Sequence, residues 1–413
     1  MKINRVLAVL FCSFIFSSCN QTDNEEVKIQ EEENLFTERE YIKDSNIKLL
    51  GFNTDTLPVA KRVLLANSPA FKGYAYASVH LFENKLMMVA TRFVSPSDWS
   101  GGEIILLESS DEGKTWSKER VIQENIGLVQ TCAPSLISTN KTLMLFFLVK
   151  NSSTDCHVYF KKSSDNGKTW TEPTKISSVD GYNIINNDRC IVVKNRIIVP
   201  VAFAPEIHRF YQKQGIFCYY SDDNGKSWKR SSSIATTIPL MEPGIVHVGG
   251  SELLMVIRSN KGKVMFSRSF DLGVTWTIPV SSNLSSPEAP ATIARLPKSN
   301  TLLLVWNNNP AVGLSKRNPL TIAFSKDKGT TWTKPFMIEY LKNSDFCYTS
   351  VCFDSKKCHV TYTQIPYSST FKQNVKYFSI DIKTVNELTS ENFLKIEPPI
   401  KSRIPSAGDL SQN

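Results

Sequence analysis

The stretch Ser-Ser-Asp-Glu-Gly-Lys-Thr-Trp at 109–116 is the first of five copies of the pattern Ser-x-Asp-x-Gly-x-Thr/Ser-Trp. The later copies occupy 163–170, 221–228, 269–276 and 325–332. Successive copies begin 54, 58, 48 and 56 residues apart, a period long enough for one small sheet per repeat. A repeat of this length predicts an array of similar supersecondary units, and each copy is called an Asp box below.

The Asp box has the composition of a tight turn. Asp accepts hydrogen bonds from the backbone N–H groups that follow it, and Gly adopts a positive φ without strain. We expect the Trp to pack the turn against a neighbouring strand. Because the boxes are expected on outer turns, none of their residues is a candidate for catalysis.

Short apolar or alternating runs lie between the boxes and predict β-strands. Examples are 142–149, 197–203 and 301–306, each bounded by Gly, Pro, Asn or Ser. Four strands per period predict an all-β, six-bladed β-propeller over 46–400, with one blade for each of the five boxes. The sixth blade is predicted from 348–382, and a strand within 46–65 is expected to complete it.

The first nineteen residues predict export. Lys2 and Arg5 precede the apolar run 6–16, which is too short to span a bilayer. Two serines then precede Cys19, and this order resembles a bacterial lipoprotein signal, in which Cys19 is lipidated. We therefore expect a signal over 1–19 and a lipid-anchored protein that faces the periplasm or the cell surface. An ordinary signal peptide cleaved nearby is the alternative.

The charge is distributed unevenly along the chain. Residues 20–45 predict an acidic, solvated tether, because eight Asp and Glu lie between 20 and 40 against two basic residues. Removing the tether (−6) and the signal (+2) from the net +9 leaves +13 for the rest of the chain. A basic body favours an anionic partner. Residues 401–413 are expected to form a tail.

The cysteines and the basic residues exclude several function classes. Seven cysteines lie outside the signal, an odd number without a CxxC pair, which argues against a zinc ribbon and a full disulfide framework. One or two disulfides remain open in an oxidising compartment. No cluster of ligands predicts a metal or an organic cofactor. The absence of a basic helix or an interleaved aromatic platform argues against nucleic acid as a partner.

Repeated Asp boxes on units of this length resemble the sialidase (neuraminidase) superfamily, and the resemblance runs from 74 to 363. Further stretches resemble a bacterial subgroup known as sialidase family proteins. These stretches are 186–189, 241–244 with Arg258 after it, 286–290, 306–307, 317–320 and 347–349. The resemblance implies the superfamily's β-propeller fold and activity on glycans, and membership of the subgroup does not fix one substrate.

The resemblance also implies roles for individual residues. Tyr348 matches the nucleophile, Glu242 matches the base that takes its proton, and Asp98 matches the acid/base. Arg258 and Arg317 match two of the three arginines that hold the substrate carboxylate, since guanidinium forks bind carboxylates with two hydrogen bonds.

Four more residues are candidates for substrate binding because ionisable groups at the starts or ends of inner strands converge on the axis of a propeller. They are Asp188, Arg189, Arg92 and Glu288.

One motif departs from the superfamily pattern. Sialidases open their first blade with Phe/Tyr-Arg-Ile-Pro, whose Arg is the first of the three. The corresponding stretch here is Tyr74-Ala75-Tyr76-Ala77, and no Arg lies between Arg62 and Arg92. A two-arginine clamp is therefore expected, with Arg189 or Arg92 as a possible third member.

Three functions follow from these residues. The first is an exo-acting, retaining glycosidase that removes an acidic terminal sugar, either sialic acid or a related ulosonic or uronic acid. The second is a polysaccharide lyase acting on uronic acids, with Tyr348 as base and Arg258 neutralising the carboxylate. The third is a lipoprotein that binds acidic glycans without catalysis.

Overall fold

The computed structural model describes residues 55–391 except 58, 72, 95–96, 98, 100, 208–213, 236–237, 312–315 and 368–371. Regular structure in these residues is nearly all β-strand, so the predicted all-β class is confirmed. One helix, α1 (Ile382–Glu391), follows the last strand and was not predicted. Where the chain is described, no helix is long and apolar enough to cross a membrane. The predicted signal with Cys19, the tether and the C-terminal tail lie outside the described residues.

The first half of the strands forms three antiparallel groups preceded by two short strands, β1 (Asp55–Thr56) and β2 (Arg62–Leu65). The first group is β3 (Gly73–Phe82), β4 (Lys85–Phe93), β5 (Gly102–Ser109) and β6 (Arg120–Gln123). The second is β7 (Gln130–Thr139), β8 (Thr142–Lys150), β9 (Cys156–Ser163) and β10 (Thr174–Lys175). The third is β11 (Tyr182–Ile184), β12 (Ile191–Val193), β13 (Arg196–Ala204), β14 (Gly215–Ser221), β15 (Lys229–Arg230) and β16 (Ile234–Ala235).

The second half forms three more groups of the same kind. The fourth is β17 (Leu240–Gly249), β18 (Glu252–Ser259), β19 (Lys263–Ser269) and β20 (Val280–Ser285). The fifth is β21 (Thr292–Arg295), β22 (Leu302–Asn307), β23 (Leu320–Ser325) and β24 (Phe336–Glu339), with β1 parallel to β24. The sixth is β25 (Ser344–Phe353), β26 (Lys357–Pro366) and β27 (Asn374–Asp381).

The N-terminal strand completes the sixth group, as predicted. β2 pairs antiparallel with β27, with Arg62 opposite Tyr377. A parallel bridge between Tyr182 and Cys156 joins the third group to the second. The strand pairings among the described residues do not close into one sheet, so the number of blades stays a prediction.

The groups pack face to face, and this explains the apolar runs of the middle strands. Alternate residues of β8 enter two different cores: Leu143, Leu145 and Phe147 pack with β4, while Met144 and Phe146 pack with β13. A strand covered on both faces has no polar side and reads as a continuous apolar run. The first strands of neighbouring groups also contact one another, as β3 does with β7 and β25, and β21 with β17 and β25, so they face a common interior.

The Asp boxes form the predicted turns at the ends of third strands. In the first box, Asp111 accepts hydrogen bonds from the backbone N of Thr115 at 2.9 Å and from its hydroxyl at 2.6 Å. Gly113 has a φ of 81°, and its carbonyl accepts a bond from Nε1 of Trp116 at 3.2 Å. The Trp ring packs against two apolar clusters, as expected.

The cysteines do not form disulfides. All seven in the described residues are buried and outside any disulfide: Cys132, Cys156, Cys190, Cys218, Cys347, Cys352 and Cys358. The one or two disulfides that the sequence left open are therefore not formed among these seven cysteines. Each thiol is packed within the stacked sheets, which supply stability without a crosslink.

Candidate functional site

Residues in the left-handed backbone region recur near the starts of the first strands. They are Tyr76 (φ 57°), Ala133 (φ 55°), Asp188 (φ 56°), Glu242 (φ 46°) and Tyr348 (φ 54°). In β3, β7, β17 and β25 this residue falls where the pairing with the next strand shifts register, as in a β-bulge. A positive φ costs a non-glycine residue about 1–2 kcal/mol, and such residues cluster at functional sites.

The ion pair between Arg258 and Glu242 is the centre of the candidate site. Nη1 of Arg258 donates to Oε2 of Glu242 at 2.6 Å, and Nη2 lies 3.3 Å from Oε1 of Glu288. All three side chains are buried. Burial acts to lower the pKa of Arg258, but the neighbouring carboxylates, Glu242 foremost, outweigh it and raise that pKa. Arg258 is therefore a cation neutralised by two carboxylates.

Arg317 brings a second guanidinium to this place from the loop before β23. Nη1 donates to the hydroxyl of Tyr348 at 3.3 Å, while Nε and Nη2 both lie 3.3 Å from the backbone oxygen of Glu288. The backbone N of Arg317 donates to Oδ1 of Asp345 at 3.0 Å, which ties the loop to β25. No carboxylate among the described residues is hydrogen-bonded to this guanidinium, so it is able to bind an anion.

The phenol of Tyr348 is protonated at neutral pH. Burial raises the pKa of Tyr348 to about 12, and the cation of Arg317 opposes this while the anion of Glu242 reinforces it. A neutral phenol is a weak nucleophile, so a reaction at this oxygen requires a base. Glu242 is the acid whose charge acts most strongly on Tyr348.

Tyr76 completes the group from the first strand of the first sheet. Its ring centroid lies 4.3 Å from that of Tyr348, with an angle of 52° between the planes. Phe93 lies on β4 with its centroid 6.2 Å from that of Tyr76. Tyr76 is half-buried. Sequence reasoning named Tyr76 only within the departing motif, because no residue pattern marks its left-handed conformation.

Asp188 and Arg189 lie between β11 and β12 and hold neighbouring groups together. Asp188 accepts from the hydroxyl of Ser78 at 3.2 Å and from the backbone N of Val351 at 3.0 Å, and burial raises its pKa. Arg189 is 1% exposed and donates from Nη1 to Oγ1 of Thr292 at 2.8 Å. Burial lowers the pKa of Arg189 against the charges of Asp188 and Glu242.

Arg92 is engaged elsewhere. It sits near the end of β4, as predicted, where its Nε donates to Glu103 at 2.7 Å and its Nη1 bonds Glu119. Its guanidinium lies 3.9 Å from the ring centroid of Phe71. No hydrogen bond or ion pair in the described residues joins Arg92 to Arg258, Arg317 or Tyr348. Asp98 lies outside the described residues, so its predicted role stays a prediction.

The structure thus brings together five of the predicted site residues. They are Glu242, Arg258, Glu288, Arg317 and Tyr348. Two guanidinium groups, two carboxylates and a phenol can bind an anion and exchange a proton beside a nucleophile. The described residues contain no group of three His, Cys, Asp or Glu side chains that could hold a metal ion.

A protein-family model, described as the BNR repeat-like domain, matches residues 129–360, which is more than half of the chain. The chain belongs to the BNR repeat-like family. Its relatives place this member in the sialidase superfamily, as the Asp boxes predicted. The matched region contains four of the five boxes and all five residues of the assembled site.

Curated relatives of this BNR repeat-like protein are sialidases. A sialidase from Bacteroides fragilis is 24% identical over 329 residues, which is 65% of this chain and 57% of the relative. A sialidase from Vibrio cholerae is 28% identical over 173 residues, which is 35% of this chain and 21% of the relative. The chain therefore spans little more than half of one relative and about a fifth of the other.

Solved structures similar to the BNR repeat-like protein share its fold at low identity. A Hadza microbial sialidase, Hz136, has a TM-score of 0.63 at 18% identity and covers 75% of this chain and 66% of its own. A mutant Trypanosoma rangeli sialidase displaying trans-sialidase activity has a TM-score of 0.67 at 15% identity, and the match covers 82% of this chain and 61% of that sialidase. A protein of unknown function from Dyadobacter fermentans has a TM-score of 0.62 at 17% identity, and the match covers 79% of this chain and 100% of that protein. The fold is β-propeller-like.

Proposed function

We propose that this protein is an exo-acting, retaining glycoside hydrolase that removes an acidic terminal sugar from extracellular glycans or polysaccharides. The observation that carries the proposal is the contact of Arg317 with Tyr348 beside the Arg258–Glu242 ion pair. An anion-binding guanidinium next to a phenol and a carboxylate is the equipment that hydrolysis of an acidic glycoside needs. The proposal includes a closed propeller of six blades around this site.

The reaction would proceed through a covalent intermediate on Tyr348. As the phenol oxygen bonds to the anomeric carbon, Glu242 takes the phenol proton, the glycosidic C–O bond breaks and Asp98 gives its proton to the leaving oxygen. Water then attacks the anomeric carbon and Asp98 takes a proton from it, while the bond between that carbon and the Tyr348 oxygen breaks and Tyr348 recovers its proton from Glu242. A phenol with a pKa of about 12 needs this assistance, because it is not ionised at neutral pH.

The carboxylate of the substrate would be held by Arg317, with Arg258 as second donor. Arg317 suits the first role because its guanidinium bonds a phenol and a backbone oxygen and no carboxylate within the described residues. Arg258 is already paired with Glu242, which fixes that carboxylate for its exchange of protons with Tyr348. Glu288 supports the pair from the other side.

The proposed place of action is outside the cytoplasm. Lys2, Arg5, the apolar run 6–16 and Cys19 support an exported protein anchored by lipid at Cys19. An acidic tether would then carry the propeller clear of the membrane, where glycans are accessible.

The test is turnover by the purified protein of a fluorogenic α-sialoside and of glycans with terminal ulosonic or uronic acids, beside Tyr348→Phe and Arg317→Gln. Release of an acidic sugar by the parent, with loss of at least a hundredfold in each variant, is the expected result. An unsaturated product would identify a lyase and overturn hydrolysis. Binding of acidic glycans that survives both Tyr348→Phe and Asp98→Asn, without turnover by the parent, would identify a binding protein.

A further inference from the structure

Among the described residues of the site, Arg317 is the cation that no carboxylate bonds and that is therefore open to a substrate anion. Arg258 is bonded to the carboxylates of Glu242 and Glu288, while the guanidinium of Arg317 bonds neutral groups only, within the described chain. The two arginines and two glutamates sum to zero charge. A substrate carboxylate therefore meets a site with little net attraction, and other contacts must contribute to the affinity for the sugar.

Tyr76 is placed to make such a contact. It occupies the same left-handed bulge position in β3 that Glu242 occupies in β17 and Tyr348 in β25. The backbone there directs three side chains into one group, and the neighbouring strands are fixed to each other by the bond from Val79 N to Ser350 Oγ at 2.8 Å. Tyr76 thus belongs to the site by backbone geometry as well as by contact.

The ring of Tyr76 is an apolar surface beside the reacting phenol. Its centroid is 4.3 Å from that of Tyr348, and the 52° angle sets the two rings as adjoining walls rather than as a parallel stack. Both residues are partly exposed, and Tyr76 also packs against the apolar core on its other side. Ligand sites combine apolar and aromatic walls with a few polar groups that fix orientation.

We propose that Tyr76 is a specificity-determining residue, the apolar wall on which a C–H face of the terminal sugar packs while Arg317 holds the carboxylate. This inference rests on the proposed function and adds the class of sugar to it. The preferred substrate is an acidic sugar that presents an unsubstituted carbon face towards β3. Affinity is then divided between a charge contact and a charge-independent stacking contact.

The test separates these two contacts by calorimetric binding of N-acetylneuraminic acid, glucuronic acid and the methyl ester of each. Tyr76→Ala is expected to weaken the binding of the acid and of its ester by the same factor, about tenfold. Tyr76→Phe, the matched control that keeps the ring, is expected to stay within about twofold of the parent. Arg317→Gln is expected to weaken the binding of the acid far more than that of the ester, because only the acid carries a negative charge.

The outcomes distinguish this inference from the proposed function. If the parent binds neither acid and hydrolyses no acidic glycoside, both fail. If the parent binds the acidic sugars and Tyr76→Ala leaves the dissociation constants of the acid and the ester unchanged while kcat falls, then Tyr76 only supports Tyr348. In that case the inference alone is overturned. Equal losses in Tyr76→Phe and Tyr76→Ala would also overturn it, because the hydroxyl and not the ring would then matter. If Tyr76→Ala does not fold, Tyr76→Leu replaces it; this variant keeps apolar volume but loses the flat ring, so it is expected to weaken binding of the acid and of its ester by equal, smaller factors, and unchanged binding would overturn the inference.

Discussion

Nη1 of Arg258 and Oε2 of Glu242 lie 2.6 Å apart, and neither side chain is more than 10% exposed. The β17–β18 pairing creates this contact by setting Met241 opposite Arg258, which leaves the next residue beside the guanidinium. Removing one partner of a buried ion pair costs about 3–5 kcal/mol, because the other charge stays buried. The pair is therefore a structural element as well as a part of the proposed chemistry.

Two substitutions at Glu242 separate these roles. Glu242→Ala is expected to lower the free energy of unfolding by about 3 kcal/mol in urea denaturation. Glu242→Gln keeps the shape and a hydrogen-bond acceptor, and Glu288 still pairs with Arg258, so less stability is lost than in Glu242→Ala, while kcat falls at least a hundredfold for lack of a base. Glu252→Gln is the matched control, since Glu252 pairs with Arg268 at the same 2.6 Å outside the site. Equal kcat in Glu242→Gln and the parent would contradict the role of base.

Alkaline titration should reveal the buried phenol. Tyr348 has its pKa raised from 10.0 to about 12, so the folded state holds this proton more tightly than the unfolded state. The corresponding stabilisation is complete below about pH 10 and is lost as the pH rises to 12. Phenolate absorbance of the native protein should show a late-titrating class that includes Tyr348, Tyr74 and Tyr377. In Tyr348→Phe this class should shrink by one; an unchanged class would show that Tyr348 titrates normally.

The Asp boxes should resist acid. Bonds from Thr115 and Thr169 lower the pKa of Asp111 and Asp165 from 3.8 to about 2. Their stabilising effect is present above pH 3.8 and is lost as the pH falls through 2. Thermal unfolding of Asp165→Asn and the parent should therefore differ at pH 7 and converge near pH 2. A difference that persists unchanged at pH 2 would mean that the charge of Asp165 does not matter.

The box glycines provide a graded test of packing. Gly273 has a φ of 86°, and an added Cβ would meet Leu253 at an ordinary 3.4 Å, so Gly273→Ala should cost about 1–2 kcal/mol through φ alone. At Gly113 (φ 81°) the same carbon would collide with the ring of Tyr377, 2.8 Å from Cζ, so Gly113→Ala should cost more. KM should be unaltered in both, because the boxes lie away from the site. Urea denaturation measures the free energy of unfolding of both variants. A larger loss of that free energy in Gly273→Ala than in Gly113→Ala would contradict the packing argument.

The free thiols should be unreactive until the protein unfolds. Burial raises the pKa of Cys190, Cys347 and Cys352 to about 12, far from the thiolate form that reacts. A thiol reagent at neutral pH should modify the seven body cysteines only in denaturant, and a reductant should leave the melting temperature unchanged. A melting temperature that falls on reduction would reveal a disulfide.

The repeat made the sheets predictable and the strand boundaries nearly so. A box fixes the end of each third strand, and the apolar runs between boxes are long enough to mark strands, as 142–149 did for β8. The closing strand β2 followed from counting strands in the sixth group. Helix α1 was missed because it lies beyond the last box, where the repeat gives no information.

Site residues were predictable where they match a motif, and not where the folded backbone determines which side chains meet. Glu242, Arg258, Arg317 and Tyr348 were found through their motifs and do meet. Arg92 and Arg189 were chosen for their place on the chain, but Glu103 and Thr292 bind them, and such partners are fixed only by sheet packing. Tyr76 was not recognised as a site residue because a left-handed tyrosine has no signature in sequence.

Near the start of several first strands, one residue adopts the left-handed backbone conformation. This conformation is the same whether the side chain is the aromatic ring of Tyr76, the carboxylate of Glu242 or the methyl group of Ala133. New chemistry can therefore enter this interior by exchanging one side chain, without remodelling a loop or a sheet. Ala133, the smallest of the five, is 3% exposed and packs in the apolar core, so at this position the same backbone conformation carries a structural side chain.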